Sequence, residues 1–309
     1  MAPHTLKEPV VSVIQVQNLR KLYGSKVAVD DVSLEVRRGE IFGILGRNGA
    51  GKTTTVEIIG GLRDADSGTV RVLDLDPVRD RTRLRQEVGL QLQESQVQPK
   101  LGVREALDLY ASFYPDPADP AQLLDELGLT DRADARFEQL SGGQKQRLSV
   151  ALALVGNPQV AILDELTTGL DPHARRDTWE VVERIRDRGV TIVLVTHLME
   201  EAERLCDRIA LIDAGRVVAT GTPAELVARA ASEQVLRFRP SAPVPVGLLE
   251  QVASITHTDD GTIEARGHEN VVQDVLVALA QHGIRPENLR LEQSSLEDAF
   301  VTLTTSVEV

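Results

Sequence analysis

Residues 46–53 read GRNGAGKT: a glycine, four residues, a second glycine, then a lysine and a threonine. Glycines so placed let backbone N–H groups curl round an anion, while the lysine suits phosphate oxygens and the hydroxyl suits a hard dication. The apolar run IFGILG at 41–46 precedes the loop and a helical segment from Gly51 to about Gly61 follows it, so the positive end of a helix joins the same site. Lys52 would then reach β/γ-phosphates and Thr53 would ligate Mg²⁺, with Gly46, Asn48, Gly49, Gly51 and Thr54 forming the rest of the cradle. Downstream, VAILDE at 160–165 puts Asp164 and Glu165 at the carboxyl end of an apolar strand. Two adjacent acids there are costly unless they face a cation or water. Asp164 suits Mg²⁺, and Glu165 suits a general base for an attacking water. The other use for such acids, capping the next helix, falls better to Asp171, which Pro172 follows. His197 ends TIVLVTH at 191–197, where an imidazole can bond a terminal phosphate. LSGGQKQRL at 140–148 offers Ser141, Gly142 and Gly143 before a helix at 144–155. They would either present unpaired N–H groups to an anion or serve as an ordinary serine cap.

These groups need a scaffold, and the apolar pattern supplies one. IFGILG, VAILDE and TIVLVTH are unbroken apolar runs, the mark of strands buried on both faces, and the helix HARRDTWEVVERIRDRG lies between the last two. Alternating buried strands and helices predict a parallel α/β sheet. VSVIQVQ at 11–17 and VSLEV at 32–36 alternate instead, which predicts half-buried strands of an antiparallel layer. Between about 83 and 158 the strand signal fades, and VREALDLYASFY and PAQLLDELGL predict an inserted helical subdomain with Val103, Leu107, Tyr110 and Tyr114 on one face. Thr222, Pro223 and Glu225 start a short helix running to about Ala231. Prolines at 240, 243 and 245 then mark a boundary. Beyond it the pattern predicts strand 235–239, helix 246–252, strands 254–258 and 262–266, helix 270–282, strand 287–292 and a last helix 295–303. That is a small α+β domain of ferredoxin-like βαββαβ order with one helix added.

Composition narrows the function classes. The 309 residues are 42% hydrophobic and carry a net charge of −13, which opposes non-specific attachment to nucleic acid or anionic lipid. No apolar run approaches the ~20 residues that span a bilayer, and the amino terminus shows no export signal. One cysteine, Cys206, excludes an internal disulfide and a multi-cysteine zinc site, and the scattered histidines predict no transition metal.

Taken together, GRNGAGKT, LSGGQKQRL, VAILDE, TGLDP and VTH, in this order and spacing, resemble the ATP-binding subunits of ABC transporters over about residues 10–232. The resemblance implies a P-loop NTPase nucleotide-binding domain with a mixed sheet core, an antiparallel β layer and a helical subdomain at about 84–158, followed by an accessory domain at 233–309. It implies ATP and Mg²⁺ as cofactors, hydrolysis, and a head-to-tail homodimer in which each ATP lies between the phosphate loop of one copy and the LSGGQ of the other. Ser141, Gly142, Gly143 and Gln144 would thus face the nucleotide held by the partner's Lys52, with Asp171 at the interface. Tyr23 of KLYG would stack on adenine. Spacing in VGLQLQES selects Gln93 as the glutamine linking Mg²⁺ and water to a membrane subunit, with Gln91 close by and Leu92 in place of the usual proline. Leu166 also replaces a common proline. SSLEDAFVTLT at 294–304 resembles the end of daunorubicin-resistance-type subunits, which serve ABC-2 type permeases, so a separate integral membrane permease and attachment at the inner membrane face are expected. Its Ser295 and Asp298 can form a capping pair, and Leu296, Phe300 and Leu303 share a face. The resemblance implies drug or antibiotic efflux, and three other readings remain at this point: export of lipid, polysaccharide or ions by the same engine, a soluble ATPase switch acting on ribosomes or DNA, and a regulatory protein that binds a small effector through its last domain.

Overall fold

The computed structural model of the protein describes residues 11–92, 97–230, 234–258, 260–267, 270–292 and 295–305. Contacts divide the chain between Pro223 and Ala224. The sequence places this division after 232, because its prolines lie downstream; the contacts place all but the first residue of the helix Pro223–Ala230 in the second unit.

In the first unit the strands are β1 (Ser12–Tyr23), β2 (Lys26–Arg37), β3 (Ile41–Leu45), β4 (Ser67–Val72), β5 (Val88–Gln91), β6 (Val160–Asp164), β7 (Thr191–Thr196), β8 (Arg208–Asp213) and β9 (Arg216–Gly221). Its helices are α1 (Lys52–Ile59), α2 (Arg81–Glu87), α3 (Val103–Ala111), α4 (Pro120–Glu126), α5 (Gly142–Leu154), α6 (Pro172–Asp187) and α7 (Met199–Leu205). Six strands form one sheet in the order β5-β6-β7-β3-β8-β9, parallel except for the β8–β9 pair. β3, β6 and β7 are buried along their whole length, as unbroken apolar runs require. A three-stranded antiparallel sheet, β2-β1-β4, forms the second layer. Apolar side chains from both sheets, among them Ile14, Val32 and Val72 with Phe42, Ile44, Ile162 and Val195, make one core with Val56 and Ile59 of α1. Each such burial contributes about 1.5–3 kcal/mol before entropy is counted.

The structure corrects three sequence expectations. β5 lies inside the stretch read as wholly helical; it has only four residues, VGLQ, too few to display a period. α3 ends at Ala111, so Tyr114 lies beyond the helix that was expected to carry it, and Tyr110 sits at an exposed edge while Val103 and Leu107 are buried. In the second unit the expected helix 246–252 is a series of turns, because Gly247 takes a φ of 82° that a right-handed helix excludes.

The rest of the second unit comprises α8 (Pro223–Ala230), β10 (Gln234–Pro240), β11 (Ser254–His257), β12 (Ile263–Gly267), α9 (Val271–Gln281), β13 (Pro286–Glu292) and α10 (Leu296–Thr305). Its antiparallel sheet has the order β11-β12-β10-β13, and Leu236, Phe238, Ile263 and Ala265 pack with Val271, Val275 and Leu279 of α9. α10 begins with a reciprocal cap: the Ser295 N–H and hydroxyl donate to Asp298 at 2.9 and 2.8 Å, and the Asp298 N–H donates back to Ser295 Oγ at 3.2 Å. Leu296 and Phe300 are buried on that helix and Leu303 is partly so.

Candidate active site

Strand order brings the candidate residues to one edge. β6, β7 and β3 lie side by side in parallel, so the loop after β3, the acids ending β6 and the histidine after β7 all emerge at the carboxyl ends of adjacent strands. The loop fits there because two of its residues lack side chains. A Cβ at Gly46 would lie 2.2 Å from the Ile212 carbonyl oxygen, and one at Gly51, whose φ is 100°, would lie 2.3 Å from the Ala28 carbonyl oxygen. Lys52 is buried, and its Nζ donates to the carbonyls of Gly46 and Arg47 at 2.9 and 3.0 Å. Burial lowers the Lys52 pKa, opposed by the nearby charges of Glu165 and Asp164. A phosphate would supply the counter-charge that loop carbonyls only approximate.

Asp164 is fully buried; its Oδ2 accepts from Thr53 Oγ1 at 3.1 Å, and its Oδ1 has no hydrogen-bond partner among the described residues. A hydroxyl beside a carboxylate with a spare buried oxygen is an oxygen donor set that suits Mg²⁺. Glu165 takes a left-handed φ of 51°, which costs a non-glycine residue roughly 1–2 kcal/mol, and its N–H donates to the Val195 carbonyl at 2.8 Å. That fixed backbone sets Glu165 Oε1 3.1 Å from His197 Nδ1. Leu166, in place of a proline, is fully buried and anchors the loop behind it. Beside these groups lies a cavity of about 400 Å³ lined by Tyr23, Lys26, Ala28, Asn48, Gly49, Gly51, Lys52, Thr53, Thr54 and Glu165. The Tyr23 ring is exposed, with the Arg63 guanidinium 5.5 Å and Lys21 Nζ 5.8 Å from its centroid.

The LSGGQ residues are elsewhere. Ser141 caps α5 in a reciprocal box: the Gln144 N–H donates to Ser141 Oγ at 3.3 Å, and the Ser141 N–H donates to Gln144 Oε1 at 3.0 Å. The ordinary cap is therefore real, yet it uses only a lone pair of the exposed hydroxyl and leaves its proton to donate. Ser141 and Gly143 line a second cavity of about 260 Å³ with Arg147, Asp171, His173, Ala174 and Asp177. A Cβ at Gly143 would come within 3.1 Å of Ala174 Cβ, so glycine lets α5 seat against the start of α6. Asp171 caps α6 by accepting from the N–H groups of His173 and Ala174, both at 3.0 Å, and these bonds, that from Ala174 foremost, hold its pKa below the usual carboxylate range. Two groups of predicted residues thus occupy two cavities of one chain.

The ABC transporter family profile matches residues 29–168. Over nearly its whole length the chain is also similar to curated proteins. It is 34% identical to the linearmycin resistance ATP-binding protein LnrL of Bacillus subtilis (strain 168), over 94% of this chain and 98% of that one. It is 36% identical to the daunorubicin resistance ATP-binding protein DrrA3 of Streptomyces coeruleorubidus, over 95% and 96%. It is 41% identical to the Nod factor export ATP-binding protein I of Burkholderia orbicola (strain AU 1054), over 95% and 97%. The chain belongs to the ABC transporter ATP-binding family. Among solved structures, a dimeric ATP-binding cassette in a post-hydrolysis state bound to ADP and Pi is 28% identical, with a TM-score of 0.61 over 68% of this chain and 98% of that chain.

Gln93 lies outside the described residues. Gln91 ends β5 and is buried, its Nε2 donating to the Leu92 carbonyl at 3.0 Å. Lys26 and Ala28 line the cassette's first cavity but were not foreseen; their signal is their place in the hairpin that follows Tyr23.

Electrostatics in this ABC ATP-binding site give a first prediction. Burial pushes the Asp164 carboxyl up to about 6; Thr53 and Lys52 act against this shift, and Glu165 and Glu57 add to it. A folded-state value above the unfolded one means that Asp164 destabilises the metal-free fold once it ionises. The favourable contribution is complete below about pH 4 and is lost as pH rises through 6. Asp164→Asn is therefore expected to raise the melting temperature without metal or nucleotide at pH 7.5. A gain of about 1 kcal/mol, discounted for residual solvation, corresponds to roughly 2–4 °C. The gain should shrink as pH falls towards 4. Thermal melts across that range check it, and an unchanged or lower midpoint at pH 7.5 would contradict it.

Proposed function

We propose that this chain is the ATP-hydrolysing subunit of an exporter, acting as a head-to-tail pair of copies beneath a separate membrane permease. The observation that carries this reading is the separation of the two cavities: the one with Lys52, Thr53 and Glu165 does not contain Ser141 or Gly143. Each is half of a site that a second copy completes.

In this arrangement Tyr23 stacks on the adenine, while the backbone of Gly46, Asn48, Gly49 and Gly51, with Lys52 and Thr54, binds the phosphates. Thr53 and Asp164 would hold Mg²⁺, with Gln93 as the expected further ligand, and the ion would neutralise phosphate charge. Glu165 accepts the proton of the attacking water, and His197, hydrogen-bonded to Glu165 through Nδ1, faces the terminal phosphate. From the other copy, the Ser141 hydroxyl and the N–H groups of Gly142, Gly143 and Gln144 donate to the terminal phosphate, and Asp171 lies against the interface. Two copies are thereby locked together while ATP is present and released when it is cleaved.

The similarity to linearmycin and daunorubicin resistance proteins supports export of a drug or antibiotic. The 41% identity to a Nod factor export protein supports a second reading, the same engine serving another class of cargo. No helix among the described residues is long and apolar enough to cross a membrane; in this reading the cargo path lies in the permease, with this chain attached at its cytoplasmic face. Affinity capture of the chain from detergent-solubilised membranes tests the assignment. A polytopic membrane protein should co-purify and raise ATP turnover when reconstituted; recovery with ribosomes or DNA instead would contradict the transport reading.

A further inference from the structure

Behind the reactive edge, three buried side chains tie together the segments that carry Glu165, Asp171 and His197. Glu201 lies on α7, four residues after His197, and is fully buried. Its Oε1 accepts from Thr167 Oγ1 at 2.7 Å and from Trp179 Nε1 at 3.1 Å. Thr167, also fully buried, stands two residues after Glu165, and Trp179 lies on α6, the helix that Asp171 caps. Glu201 Oε2 has no hydrogen-bond partner among the described residues.

Such a carboxylate is a poor way to gain stability, because burying an ion costs several kcal/mol and an apolar residue of similar volume often serves as well or better. α6 and α7 are already joined at their exposed sides by Arg175 with Glu200 and by Arg204 with Glu183, at 3.6 and 3.2 Å. What Glu201 adds is geometry: one oxygen receives a donor from the Glu165 loop and one from α6, while its own helix follows the His197 loop. A leucine there would fill space without fixing distance or direction.

We infer that Glu201 is a positioning residue for hydrolysis, holding the Glu165 loop and the His197 loop in register through Thr167 and Trp179. This rests on the reading that Glu165 and His197 face the terminal phosphate. Displacing a reacting group by about 1 Å can cost on the order of 10²-fold in rate even when the change lies away from the chemistry.

Four variants of the full chain test it: Thr167→Val, which removes one hydroxyl at nearly constant shape, Glu201→Leu, Glu201→Gln and Glu165→Gln. Steady-state ATP hydrolysis, binding of a fluorescent ATP analogue and thermal melting are compared. Thr167→Val and Glu201→Leu should lower kcat at least about tenfold with KM and analogue affinity within about twofold. Glu201→Gln keeps an oxygen for both donors and should stay within about threefold of the parent kcat. Parental kcat in Thr167→Val and Glu201→Leu, or an equal fall in Glu201→Gln and Glu201→Leu, would overturn the inference. Should Glu201→Leu fail to fold, Thr167→Val decides alone. Undiminished hydrolysis in Glu165→Gln would remove the underlying reading instead, whereas an inactive Glu165→Gln beside fully active Thr167→Val and Glu201→Leu removes only the role given to Glu201.

Discussion

Replacing Glu165 by Gln is expected to lower ATP turnover by about 10²–10⁴-fold while leaving ATP affinity within about twofold of the parent chain. The two side chains are nearly isosteric, so the left-handed backbone at 165 and the loop behind it need not move. A Gln amide, which both donates and accepts, can still hydrogen-bond His197 Nδ1, 3.1 Å from Glu165 Oε1, whichever tautomer the ring takes. The amide loses only the capacity to take a proton from water, and that is the role assigned to the carboxylate. Single-turnover hydrolysis measured beside equilibrium nucleotide binding separates the two effects. Unchanged turnover would mean that Glu165 is not the base; weakened binding with proportionate loss of turnover would mean that it acts on the nucleotide rather than on the water.

The second large effect is expected at the far half of the site. Ser141→Asp should leave the fold and ATP loading of the Lys52 cavity intact, because Asp is as good a helix cap as Ser and keeps an acceptor for the Gln144 N–H. Its carboxylate would, however, meet the terminal phosphate held by the other copy. Two unit charges about 4 Å apart repel by about 1 kcal/mol in water and about 4 kcal/mol near a protein surface, so hydrolysis should fall roughly 5- to 10³-fold. Melting temperature, ATP-analogue binding and turnover together check this. Parental turnover would mean that no phosphate approaches the start of α5.

The parts legible in the sequence are those whose physics is local. VAILDE and TIVLVTH read as strands buried on both faces and are so, and GRNGAGKT places Gly46 and Gly51 where the structure leaves no room for a Cβ, against Ile212 and Ala28. The strands and the two later helices of the second unit were legible too, but the expected βαββαβ order was not met, because Gly247 replaces its first helix with turns. Short pieces escaped. β5 has four residues, and its Gly89 is needed because a Cβ would strike the Ala153 carbonyl oxygen at 2.0 Å, a constraint imposed by α5 more than sixty residues away. Contacts that depend on strand order escaped as well. Nothing in the spacing of Glu165 and His197 places them 3.1 Å apart; the adjacency of β6 and β7 does. Glu201 was least visible of all, since an acid in the first turn of MEEAERL reads as an ordinary helix start until Thr167 and Trp179 are seen to meet it.

The claim beneath all of this is that the phosphate cradle of one copy works with the helix start of another. It is tested most directly by mixing two impaired chains, one carrying Lys52→Ala, which removes the ammonium from the phosphate cradle, and the other Ser141→Asp, each first measured alone. A mixed pair contains one site with both defects and one with neither, so an equal mixture should regain roughly a quarter of parental turnover if copies pair at random. Turnover that stays at the level of the two variants measured separately, in a mixture shown to exchange partners, would contradict the account.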